Sequence, residues 1–190
     1  MSKAEELIKT SINVAQKLLD KQVLLKKIEE VAFLITDALK KGNRVYFCGN
    51  GGSAADAQHL AAELSGRFYT DRHALRAEAL HCNSSYLTAV DNDYNFNMIY
   101  ARLIEGIGDS GDVLVGLSTS GNSENIINAF EIAKEKKITT VALTGETGGK
   151  IKSICDHLIN VPSSDTPRIQ ECHILIGHII CQMVEEKYFN

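Results

Sequence analysis

The chain has 190 residues, 44% hydrophobic and 23% charged, with 20 Lys plus Arg against 24 Asp plus Glu. This length suits one domain spanning 1–190, and a formal net charge of −4 disfavours electrostatic wrapping of nucleic acid. No apolar run reaches the ~20 residues of a membrane helix, and Met1–Glu6 lacks an apolar leader core, so the chain is expected in the cytoplasm with no membrane partner.

The five cysteines, Cys48, Cys82, Cys155, Cys172 and Cys181, are odd in number and never spaced as CxxC. That pattern disfavours zinc ribbons, thioredoxin-like motifs and secreted disulfide scaffolds. Most are expected to be reduced core residues.

Leu7, Ile8, Ile12, Ala15, Leu18 and Leu19 follow helical spacing, as do Leu24, Ile28, Val31, Ala32, Ile35 and Leu39. Two N-terminal helices, about 2–41, are therefore predicted, ending at Lys40-Lys41-Gly42-Asn43. Arg44–Cys48 reads as a strand and Gly49–Gly52 as a turn, with Ser53 placed to cap the next helix. A second strand is expected near Arg76–Cys82, and a loop at Asp91–Asp93 before a helix around Asn97–Ile107. Asp112–Leu117 is a strand, Ser118–Ser123 a loop, Glu124–Lys137 a helix and Thr139–Leu143 another strand. A Gly-rich turn at Gly145–Gly149, a strand at Leu158–Val161 and a helix opened by Pro167 complete the chain.

Strands alternating with helices predict an α/β fold, a doubly wound, mostly parallel sheet flanked by helices. Such sheets bind ligands beyond the carboxyl ends of their strands, where the strand order switches.

Two loops lie where that rule puts chemistry. Gly49-Asn50-Gly51-Gly52-Ser53-Ala54 satisfies G-x-G-x-x-A, a weak dinucleotide signal that also suits any ligand approaching the backbone at a helix start. A dinucleotide reading needs an acid about 20 positions on, closing a second strand. Asp71 has that spacing, but it lies in the polar stretch Tyr69–His73. Ser118-Thr119-Ser120-Gly121-Asn122-Ser123 offers four hydroxyls between a strand and a helix. Hydroxyls, backbone N–H groups and the positive helix end suit a phosphate dianion. Neither loop has the Lys of a nucleotide triphosphatase.

His59 and Glu63 stand at i and i+4, about 40° apart, and share a helix face. Gln170 and His178 are about 80° apart on the final helix. His173, roughly 140° from His178, is expected at an interface or surface. His178 has apolar flanks and needs a partner.

Cys48–Leu64 (CGNGGSAADAQHLAAEL), Leu117–Ser123 (LSTSGNS) and Arg168–Glu171 (RIQE) together resemble the phosphoheptose isomerase family of sugar isomerase (SIS) domains. The resemblance covers essentially the whole chain. It implies an aldose–ketose isomerase interconverting D-sedoheptulose 7-phosphate and D-glycero-D-manno-heptose 7-phosphate through an enediol(ate), for bacterial surface heptose. It implies a cytoplasmic homotetramer with no nucleotide cofactor. Asn50, Gly51, Gly52, Asn92 and Asp93 would then contact sugar hydroxyls. Ser118, Thr119, Ser120 and Ser123 would hold the phosphate. His59, Glu63, Gln170 and His178 would bind one zinc ion per subunit, with Glu63 and Gln170 also touching substrate. The division of labour makes Glu63 the base and His178 the acid.

The chain departs from the family at one place. Some members carry an acid immediately before RIQE, where this chain has Pro167 and its nearest acid is Asp165. The competing reading is a non-catalytic SIS module resembling the protein associated with the bacterial replication initiator. His59–Glu63 and Gln170–His178 argue against it.

Overall fold

A computed structural model describes residues 1–189. Helices α1 (Lys3–Leu19) and α2 (Gln22–Lys40) precede β1 (Val45–Gly49) and α3 (Gly52–Ser65). Then come β2 (Ala77–Ala79), α4 (Ser84–Asp93), α5 (Ile99–Ile107), β3 (Val113–Ser118) and α6 (Glu124–Glu135). Strands β4 (Thr139–Thr144) and β5 (His157–Asn160) lead to α7 (Thr166–Phe189). All strand pairs are parallel, in the order β2-β1-β3-β4-β5.

Alternating side chains divide the core in two. Val45, Phe47, Val113, Val115, Leu117, Val141 and Leu143 pack under α2, α3 and α7. Tyr46, Cys48, Leu114 and Ala142 face the opposite layer, with Ile104 of α5 and Phe130 of α6. At Gly116 a Cβ would strike Ile126 and Phe130, so this glycine lets α6 lie directly on β3. The order turns back between β1 and β3, so the loops after these two strands flank the switch point.

Several expectations are corrected. Asp91–Asp93 is not a loop but the last turn of α4. That helix is rich in Ser, Thr, Asp and Asn and buries only Val90, so its periodicity is faint; Asn83 caps it by accepting the Tyr86 N–H. Ser53 is not a cap. Gly51 takes that position with φ +56°, and Ser53 is buried inside the first turn of α3. Helix α6 ends at Glu135, before Lys137 at φ 59°. Thr166, not Pro167, opens α7. His173 is fully buried rather than at the surface. Cys48, Cys172 and Cys181 are buried as expected, whereas Cys82 is exposed.

The predicted apolar face of α1 exists, but the chain does not cover it. Val14 and Leu18 are buried, while Ile8 and Ile12 are each 60% exposed. With Leu175 and Ile179 of α7, Ile12 and Leu19 line an apolar groove of about 340 Å³. Among the described residues no helix is long and apolar enough to cross a membrane.

Candidate active site

The loop after β3 is held in shape from within. The Ser118 and Ser123 hydroxyls lie 2.9 Å apart, and the Ser120 hydroxyl accepts the Asn122 N–H at 3.1 Å. Gly121, at φ +67°, packs against the backbone of Gly148 and Gly149, where any side chain would clash. The Gly145 N–H donates to the Thr119 carbonyl at 2.9 Å, tying the loop to the end of β4. Beside it lies a cavity of about 280 Å³ lined by Thr119, Ser120, Gly145, Glu146, Thr147, Ser163, Ser164, Thr166 and Ile169. Sequence reasoning missed Thr147, Ser163, Ser164 and Thr166. Their signal was position: polar stretches directly after β4 and β5, at the carboxyl ends of parallel strands.

Asn50 follows β1, but its amide is engaged. It exchanges two hydrogen bonds with Asn125, at 2.9 and 2.8 Å. Asn125, buried in the first turn of α6, is a second residue that sequence reasoning missed. The Gln170 amide lies where a Cβ on Gly52 would touch it, so Gln170 is seated over the start of α3. Asn92 and Asp93 are exposed on α4, bonded to one another at 2.9 Å, outside the residues lining the hydroxyl-rich cavity.

Further along α3, His59 Nε2 lies 3.0 Å from Glu63 Oε1 and 3.4 Å from His178 Nε2 of α7. The helices meet closely because residue 177 is glycine. A Cβ there would collide with Leu60. Phe68 adds its ring, 5.8 Å from that of His178. Gln170 stands apart from this trio, eight residues and about 12 Å along α7 from His178.

Potential ligand atoms of His59, Glu63 and His178 all lie within 4.8 Å of one another. Two imidazole nitrogens and a carboxylate oxygen form an ordinary zinc donor set, so these residues fit the ion. Asp56, one turn earlier, has a buried Oδ2 without a hydrogen-bond partner. Burial pushes its pKa up, with His59 and His178 nearby offsetting part of that rise.

His173 reaches from α7 to the end of β4, donating through Nε2 to the Thr144 carbonyl at 3.2 Å. Its Nδ1 is buried without a partner. Burial lowers its pKa to about 4, against the opposing effect of the Thr144 bond. Asp71, the acid of the dinucleotide reading, lies between α3 and β2 rather than at the end of a strand.

A family model described as SIS domain matches residues 8–145. The phosphoheptose isomerase of Aneurinibacillus thermoaerophilus is 52% identical over 183 residues, covering 96% of this chain and 92% of that protein. That of Clostridium acetobutylicum is 50% identical over 186 residues, covering 98% and 95%. The structure of the phosphoheptose isomerase from Neisseria gonorrhoeae superposes with a TM-score of 0.91 at 41% identity, over 96% of this chain and 97% of that one. The chain belongs to the SIS domain family and, within it, to the phosphoheptose isomerase family.

Proposed function

We propose that this chain is an aldose–ketose isomerase that converts D-sedoheptulose 7-phosphate to D-glycero-D-manno-heptose 7-phosphate, as a single SIS domain spanning 1–190. The observation that carries the reading is the meeting of Glu63, His59 and His178 across α3 and α7. Half-identity to phosphoheptose isomerases over nearly the full chain supports it and gives the non-catalytic alternative no footing.

Ser118, Thr119, Ser120 and Ser123, with the start of α6, bind the phosphate. Gly51 and Gly52 admit the sugar to the backbone, and Gln170 contacts it above Gly52. Asn50 sets the shape of this loop through Asn125, and Asn92 and Asp93 reach sugar hydroxyls from α4. Glu63 removes the proton from C1 while His178 protonates the C2 oxygen, giving the enediol. Glu63 then returns a proton to C2 as His178 takes one from the C1 hydroxyl, giving the aldehyde. Neither step changes the number of protons. His59 orients the Glu63 carboxylate. His59, Glu63 and His178 would hold a zinc ion; Gln170, the fourth donor the resemblance implies, stands over the start of α3 instead. Zinc, when bound, supplies Lewis acidity toward the sugar oxygens or a tie between the two helices.

The apolar faces of α1 and α7 support a homotetramer with active sites near subunit interfaces, because Leu175 and Ile179 flank His178. A cytoplasmic location and a product destined for surface heptose, in lipopolysaccharide or capsule, complete the reading. Turnover of sedoheptulose 7-phosphate, measured with and without a chelator, tests it. The aldose product is expected, and no conversion under either condition would refute the assignment.

A further inference from the structure

Beyond the reacting trio, α3 and α7 are joined by a second, fully internal link. Arg72, in the loop after α3, is 3% exposed and Glu185, near the end of α7, is 4% exposed. Arg72 Nε donates to Glu185 Oε2 at 2.8 Å. Its remaining nitrogens serve the end of α3: one donates to the Glu63 carbonyl at 2.8 Å, the other to those of Leu64 at 2.9 Å and Gly66 at 3.1 Å. These carbonyls belong to the last turn, where a helix has no partners of its own. Glu185 accepts three backbone N–H groups of the same loop, from Phe68, Tyr69 and Thr70, at 3.2, 2.9 and 3.0 Å.

A buried ion pair often contributes little net stability, because desolvation offsets attraction. This pair is fully hydrogen-bonded, and what it fixes is position. One end holds the backbone of Glu63 itself. The other end stands seven residues beyond His178 on the same helix. Between them the loop carries Phe68, whose ring lies beside that of His178.

We propose that Arg72 and Glu185 form a positioning clamp that sets Glu63 and His59 against His178. The proposal rests on the trio being the reacting site. Neither clamp residue touches substrate; both act through the backbone of α3 and the 68–70 loop. The phosphate loop follows β3 and makes no hydrogen bond to either of them, so the clamp governs the chemical step and not the phosphate anchor.

The test uses Arg72→Met/Glu185→Leu, which removes both charges together and leaves neither buried alone. Arg72→Lys is made alongside it; it keeps a charge facing Glu185 but loses the fork onto Glu63 and Leu64. Each folded variant is measured for kcat, KM and, after chelator treatment, Zn²⁺ affinity by calorimetry. The expected result is a fall of about 10–100-fold in kcat and in Zn²⁺ affinity, the range for residues that orient ligands from outside, with KM changed less than about threefold. Arg72→Lys is expected to fall between wild type and the double variant. A folded variant that keeps wild-type kcat and Zn²⁺ affinity, even with a lowered Tm, overturns the clamp. Should the double variant not fold, Arg72→Lys alone decides by the same criteria. Wild-type protein that neither converts the sugar nor binds Zn²⁺ refutes instead the reading of the trio, and the clamp with it.

Discussion

Asn50 and Asn125 exchange amide hydrogen bonds at 2.9 and 2.8 Å, joining the loop after β1 to the first turn of α6. The two loops flanking the strand-order switch are thus one unit. The backbone of Gly51 and Gly52, proposed to meet the sugar, and the hydroxyls of Ser118–Ser123, proposed to meet the phosphate, are thereby held in mutual register. Replacing Asn125 with Leu strands the Asn50 amide; we expect a loss of about 1–3 kcal/mol in stability, read by denaturant titration, together with a raised KM. Unchanged stability and KM would show that the two loops are set independently.

Glu63→Gln keeps the shape of the side chain and removes its basicity. The variant is expected to fold, to bind substrate and to lose about 10²–10⁴-fold in kcat. Steady-state kinetics with near-wild-type kcat would remove Glu63 from the mechanism.

Ser120→Ala deletes a hydroxyl from the phosphate loop. Since a hydrogen bond to a charged group contributes roughly 1.5–3 kcal/mol, KM for the phosphorylated sugar should rise about tenfold or more. Affinity for an analogue without phosphate should barely change. If the ratio of the two affinities stays at the wild-type value, the loop is a structural turn and not an anchor.

The stability of the fold should fall in mild acid because of His173. The folded chain keeps this imidazole neutral down to about 4, whereas in the unfolded chain it takes a proton near pH 6.5. Between these values the unfolded state binds more protons, so this contribution is intact above about pH 6.5 and is lost at up to ~1.4 kcal/mol per pH unit on the way down. Urea unfolding of wild type and His173→Gln at pH 7 and pH 5 isolates it. The wild type should lose more than the variant, and equal losses would contradict the assignment.

The uncovered face of α1 yields a prediction about assembly. Light scattering of the wild type at micromolar concentration should give the mass of four chains. Ile12→Glu, which places a charge in the apolar groove, should reduce that mass. A monomeric wild type would refute the tetramer.

Much of this molecule was legible because its signals are local. Strands β1, β3 and β4 are short, largely apolar runs that end at or just before Gly49, Ser118 and Gly145. His59 and Glu63 stand four residues apart on one helix, so their meeting follows from helical geometry alone. The missed features are those whose partners are distant. Arg72 and Glu185 are 113 positions apart, and nothing near Arg72 marks it as buried. Asn125 looks like an ordinary first-turn polar residue until Asn50 arrives from 75 positions away. Helical angle taken from His178 alone puts His173 at an interface or the surface, yet α7 is packed on more than one side and His173 is buried. Helix α4 was missed for a local reason, since Ser, Thr, Asp and Asn favour turns as readily as helices.

The central claim is proton transfer between C1 and C2 of a heptose phosphate by Glu63 and His178. Following sedoheptulose 7-phosphate by proton NMR in D₂O tests it most directly. The account predicts that the aldose forms and that solvent deuterium appears at its C2. Conversion that carries the C1 hydrogen to C2 intact, with no deuterium entering either sugar even at equilibrium, would contradict it.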